Sequence, residues 1–479
     1  MHRTTSGSPN AQRHRTARLT TVTCALVCAL ACALACALAT STGWATETAK
    51  PQSAPPPLIA PRYSQLRYDL DYPVIGYADK ATHNAFARLQ ERLNHGEVKL
   101  EWRAPRGYLD SMLKALHIDK SSQVLVFSKT SLEFPFISDQ TPRSLYFDDE
   151  VYVGWIPGAP ILELMAVDSK LGPVFYSLDN RQPAATVTME RETLRCLTCH
   201  DSFSLQGGGV PHFLMVSTYA GIEGDRAQRN ASIDTTDATP LKYRLGGWYV
   251  TGQHGSETHL GNIVIKTQQD LDNVEALRKG NLETLQGLFD TKPYLTDSSD
   301  VVALLVLQHQ VTVHNLITRA QFKARSIVAR EQDTAGNSDP AWEDLSPVTQ
   351  KAITAVLEPL LHVMLNVDAA GFSGPIRGKS GHDAWFQKQG PKDSRGRSLR
   401  DLDLQTRLFK YPLSYLIYSD GFEGLPEYAK RYVYTRLAEV LRGKDQSAPF
   451  SKLTAADRQA IREILTATKP AFVQATSGT

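Results

Sequence analysis

The sequence predicts an α+β protein, predominantly helical, with an N-terminal antiparallel sheet region, a central stretch of irregular Gly-rich loops and a helical C-terminal third. Three observations carry that expectation. Runs rich in Val, Ile, Tyr and Phe, separated by Pro, Gly and Asp, recur between residues 123 and 178. Apolar residues at helical spacing recur from residue 300 onward. Between them, residues 201–262 follow neither pattern and hold Gly207-Gly208-Gly209 and Gly246-Gly247.

From the N-terminus, residues 1–18 are polar and basic, and residues 21–39 form an uncharged Ala/Leu/Cys/Val run. Small residues then lead to Ala45, which is the order of a signal peptide, with a cut expected after Ala45 or Ala39. The apolar run exceeds an ordinary signal core, so an uncleaved membrane anchor over residues 1–45 is the alternative. Either way the chain is expected to be periplasmic or otherwise exported, and membrane-anchored if the segment is not cleaved. Residues 46–62 carry five prolines and read as an extended linker.

Residues 63–187 are expected to form a mixed α/β region. A short helix is predicted over 83–93, and strands over 123–128, 145–155, 161–167 and 172–178, with turns at Asp148-Asp149 and Pro157-Gly158. Residues 188–290 centre on Cys196-Leu197-Thr198-Cys199-His200, with a short helix expected over 190–200. Residues 291–479 should be helical. Helices are predicted over 300–330, 347–366, 402–418, 426–442 and 455–466. Thr296, Asp297, Ser298 and Ser299 are N-cap candidates for the first, and Thr454 with Asp457 fits a capping box on the last.

Composition narrows the function. The 479-residue chain has a net charge of +2, but residues 1–45 hold four Arg and no acid; the remainder has 48 basic against 50 acidic residues. A near-neutral chain lacks the electrostatic footprint of a nucleic-acid binder. Four of the six cysteines lie in the apolar N-terminal run, so cleavage would leave Cys196 and Cys199 alone. Two thiols three positions apart sit on adjacent faces of one helical turn, where they suit thioethers to one haem edge. The next residue, His200, is then placed as the axial iron ligand, so the motif reads as covalent attachment of one haem c. A zinc site would want two more ligands, and no third cysteine follows residue 45. A redox dithiol has no need of His200.

What lies opposite His200 decides reactivity. His309 is the first candidate for the sixth ligand or distal residue, because it sits on an apolar stripe with Leu305, Val313 and Leu316. His212, Met215, His254, His259, His314 and Met364 are the others. Arg195, Arg226, Arg229 and Arg244 are candidates for the haem propionates. Electron transfer with a redox partner protein or a small-molecule donor or acceptor is the expected function. A haem enzyme of peroxidase or oxygenase type is the alternative, with an open sixth site and His254, His259 or His309 as acid–base group. A haem-based sensor is the third reading, and no output domain is recognisable for it.

Several blocks taken together carry a resemblance: SLYFDDEVYVGWIPG (144–158), RCLTCHDS (195–202), GGWYVTGQHGSETHLGN (246–262), LQHQVTVHN (307–315) and GRSLRDLDLQTRLFKYPLSYLIYS (396–419). The chain resembles, over about residues 120–470, a group of long bacterial exported cytochrome-c-domain proteins with a single haem motif. The resemblance implies haem attachment at Cys196 and Cys199 with His200 as ligand, and no particular substrate. It also leads one to expect Glu before His309, where this chain has Gln308.

Overall fold

A computed structural model describes residues 72–202, 208–228, 232–332 and 339–477. The signal or anchor segment, the Pro-rich linker, Gly207 and Arg229 lie outside the described residues. The architecture is mixed α/β, 38% helical and 14% strand, around a six-stranded antiparallel sheet.

Two short helices, α1 (Ala85–Asn94) and α2 (Leu109–Ala115), precede the sheet. Asn84 caps α1 by accepting from Phe86 and Ala87 N–H. The sheet is a meander in strict chain order: β1 (Val124–Val126), β2 (Arg143–Phe147), β3 (Val151–Trp155), β4 (Ile161–Asp168), β5 (Gly172–Asp179) and β6 (Glu190–Arg191). The apolar block expected as one strand over 145–155 is a hairpin, folded at Asp148-Asp149. Side chains alternate across the sheet. Leu162, Leu164, Ala166 and Val174 face one core, while Leu145, Phe147 and Phe175 face the other.

The helix expected over 190–200 is not continuous. Residues 190–191 pair with β5 as β6, and only α3 (Leu197–His200) is helical. The sheet therefore runs on past Val187, and the described residues pack as one unit. Loops with two-residue strands β7 (Val216–Ser217), β8 (Ala220–Gly221), β9 (Ile233–Asp234) and β10 (Val264–Ile265) follow. After them come the short helices α4 (Gln268–Asp272) and α5 (Val274–Leu277).

The long helix α6 (Val301–Glu331) is buried on nearly every side. It is apolar and long enough to span a membrane, but it is enclosed by protein. Its buried polar side chains pin the surrounding loops, because each would be costly without a partner. Asn315 accepts from Phe213 N–H at 2.8 Å and donates back to Phe213 O at 2.9 Å. Gln310 donates to Asp148 O and Tyr152 Oη, and accepts from Tyr415 Oη at 2.6 Å. Gln321 donates to Ser169 O and Gly424 O. Its N-cap is Asp300 itself, not one of the four preceding residues.

Helices α7 (Pro347–Met364), α8 (His382–Lys388), α9 (Asp420–Glu423), α10 (Glu427–Leu441), α11 (Ala455–Thr468) and α12 (Pro470–Thr476) complete the fold. The predicted capping box is present on α11. The helix expected over 402–418 is absent. Asp403 accepts from Gln405 and Thr406 N–H, Leu404 adopts φ +57°, and Leu402 bridges to Phe409, so the segment turns back on itself. An Asp that bonds its own backbone competes with helix formation, and only Tyr415–Tyr418 form a 3-10 turn.

The β2–β3 turn has a pH signature. Burial pushes the Glu150 carboxyl up to about 8, assisted by Asp420 and Asp149, while an N–H donated by Gly421 opposes the shift. Asp148 is pushed up to about 6 in the same way. A raised carboxyl costs nothing while both folded and unfolded chains hold the proton. Stability should therefore fall as pH rises from about 4.5 to 8, then level off. For a partly buried group the fall should be roughly 2–4 kcal/mol. Glu150→Gln should flatten most of it in urea melts at pH 5 and pH 8; an unchanged slope would assign the effect elsewhere.

Candidate haem site

The motif helix α3 closes on itself. Cys199 and His200 N–H both donate to Cys196 O, at 3.2 and 3.0 Å. This single turn sets Cys196, Cys199 and His200 on the wall of one cavity of about 380 Å³, within the 300–1,000 Å³ usual for cofactor sites. Both thiols are free; Cys196 is half-buried and Cys199 exposed. Burial pushes the Cys196 thiol up to about 12, so it stays protonated.

His200 is held from two directions. Its Nδ1–H donates to His212 O at 2.8 Å, and His212 N–H donates to His200 O at 2.9 Å. Asn315 of α6 clamps the adjacent Phe213, so the carbonyl that orients the imidazole is itself fixed. The Phe175 ring lies 4.5 Å from the imidazole. Burial lowers the His200 pKa to about 4. A neutral ring whose Nδ1 carries the proton presents the Nε2 lone pair, which is the arrangement an axial ligand needs.

The rest of the wall is largely apolar. Leu145, Met165 and Phe175 come from the sheet, Met215 and Trp248 from the loops, and Leu307 and Val311 from α6. Met165 stands directly across from Phe175 in the β4–β5 register. Four cationic side chains, Lys129, Arg143, Arg195 and Arg226, share the wall with two acidic ones, Glu163 and Glu192. Arg143 pairs with Glu163 at 2.8 Å, Arg195 with Glu192, and Lys129 with Asp225. Arg226 has no carboxylate partner among the described residues.

This donor set fits a covalently held haem: two thiols, one imidazole with a free Nε2, apolar walls, and a cationic excess for two propionates. It does not suit a bare ion. Among the described residues no three His, Cys, Asp or Glu side chains converge to hold one, and a structural zinc wants four ligands.

The sequence-derived candidates separate sharply. Of those for the sixth position, Met215 lines the cavity, and His212, His254, His259, His309, His314 and Met364 do not. His309 has both ring nitrogens engaged, Nδ1 with Asp237 Oδ2 at 2.5 Å and Nε2 with Ser414 Oγ at 2.8 Å. That leaves neither nitrogen for iron, and the reason lies in helix geometry. Leu307 and Val311 face the cavity, and His309, two residues from each, is turned about 200° away. His314 Nε2 bonds Asp149 O, and His254 and His259 pack on each other in a separate buried pair. Arg195 and Arg226 reach the cavity and Arg244 does not. Met165, Phe175 and Arg143 were not anticipated; their signal was the alternation of the sheet, which places residues 163 and 165 on one face. Among models of known families, characterised proteins and solved structures, none matches this chain.

Proposed function

We propose that this chain is an exported c-type cytochrome. It would hold one haem through thioethers from Cys196 and Cys199, with His200 as one axial ligand, and transfer electrons to and from a redox partner. The observation that supports this most directly is His200. Its ring is neutral, its Nδ1 is fixed on His212 O, and its Nε2 is free beside two thiols on an apolar cavity. When bound, the haem would supply a one-electron couple whose potential depends on its axial ligands and burial.

The chain's own part is to place and insulate that group. Phe175 and Asn315 stiffen the imidazole side, while Leu145, Trp248, Leu307 and Val311 add apolar wall that would keep water from the group. Arg226 and the paired arginines would receive the propionates. Among the described residues Met165 and Met215 are the methionines on the wall, and one of these thioethers would join His200 in holding the iron. No imidazole other than His200 lines the cavity among the described residues. Among the described residues the wall thus offers no second imidazole as a distal acid–base group, and its carboxylates Glu163 and Glu192 are paired with Arg143 and Arg195, which favours electron transfer.

Absorption spectra of the reduced holoprotein with and without carbon monoxide test this. The wild type should be low-spin and unchanged by carbon monoxide, and the Met165→Leu/Met215→Leu double variant should bind it, with the single variants identifying the ligand. Wild-type protein that binds carbon monoxide freely would overturn six-coordinate electron transfer in favour of a haem enzyme.

A further inference from the structure

A second cavity, of about 200 Å³, lies beside Leu305 of α6, away from the Leu307–Val311 face. Its apolar wall includes Leu305, Phe372 and Phe409, and its polar wall has Asp237, Arg244, Arg407 and Lys452.

The polar groups are out of balance. Arg244 is only 3% exposed. Its guanidinium donates to Thr239 O, to Gln308 Oε1 at 3.1 Å and to Asp237 O at 2.5 Å, all neutral acceptors. A guanidinium has five N–H groups, so two remain without an acceptor among the described residues. No carboxylate lies within ion-pair distance of Arg244 among the described residues. The Asp237 carboxylate favours the Arg244 charge from nearby but is bonded to His309 at 2.5 Å, not to the guanidinium. Arg407 pairs with Asp457, yet its Nε is a buried donor with no acceptor. Lys452 adds a third cation, exposed at the rim.

Unspent donors and a buried positive charge beside an apolar wall call for a ligand that only accepts hydrogen bonds at one end. A charged guanidinium out of water is costly unless an anion meets it, and carboxylate is the planar match for its fork. We propose that this cavity binds a small monocarboxylate, its anionic end on Arg244 and Arg407 and its apolar body against Leu305, Phe372 and Phe409. The site is independent of the haem assignment, because it shares no wall residue with the first cavity.

Calorimetric titration of the purified holoprotein with acetate, butyrate and hexanoate tests the proposal. One saturable site is expected, tightening by about fourfold per methylene until the cavity is filled. Gln308→Glu places a carboxylate against Arg244 from within and should weaken hexanoate at least about tenfold, the scale of one charge-assisted hydrogen bond. Ala369→Phe, at the partly exposed rim, should block the cavity without burying a charge, and covers the case in which Gln308→Glu does not fold. Absent binding in the wild type, affinities flat with chain length, or full affinity in the folded variants would each overturn the proposal.

Discussion

The Cys196→Ala/Cys199→Ala double variant is expected to lose all covalently attached haem, read as the absence of haem-dependent staining after denaturing electrophoresis. Single replacements should retain one thioether at reduced yield, with a shifted haemochrome spectrum. The reason is chemical: among residues after 45 there is no other thiol to substitute. His200→Ala should differ in kind. Both thiols survive, but the variant lacks the imidazole that His212 O orients. Its haem, where attached, should be high-spin and open to carbon monoxide. Full covalent attachment in the double variant would defeat the haem assignment, whereas attachment without low-spin character in the wild type would defeat only the electron-transfer reading.

The largest stability loss should come from Asp300→Ala. One carboxylate oxygen accepts from Val302 and Ala303 N–H, at 2.8 and 3.0 Å, and caps α6. The other accepts from Lys379 and Ser380 N–H, and so fixes the loop before α8. The residue is fully buried. Removing an N-cap costs about 1 kcal/mol, and each of the part-buried Lys379 and Ser380 N–H groups left without its charged acceptor costs about 1–2 kcal/mol. A total near 4 kcal/mol is expected in urea unfolding, a large share of the 5–15 kcal/mol typical of a folded protein. Asp300→Asn keeps one accepting oxygen and should recover part of the loss. A change under about 1 kcal/mol for Asp300→Ala would show that the cap and loop are satisfied by water.

Much of the fold was legible because it is written locally. The strands expected over 123–128, 161–167 and 172–178 and the α11 capping box needed only propensity, turn residues and side-chain hydrogen bonds. The failures share a cause. Residues 402–418 have an apolar content that suits a helix, but Asp403 and Leu404 divert the backbone. Residues 190–191 were captured by β5, a partner that nothing in their own sequence announces.

By itself the sequence determined the motif Cys196-Cys199-His200, the chemistry it suits, and the presence of a long apolar helix after residue 300. Tertiary structure alone decided which face of that helix meets the cavity. α6 is buried on nearly every side, so the apolar stripe that made His309 the first candidate does not say which side meets the cavity. Packing turned Leu307 and Val311 toward the cavity and gave His309 to Asp237 and Ser414. The sheet then supplied Met165 and Phe175, residues outside the motif, because strand pairing and not chain order sets what lines the cavity beside His200.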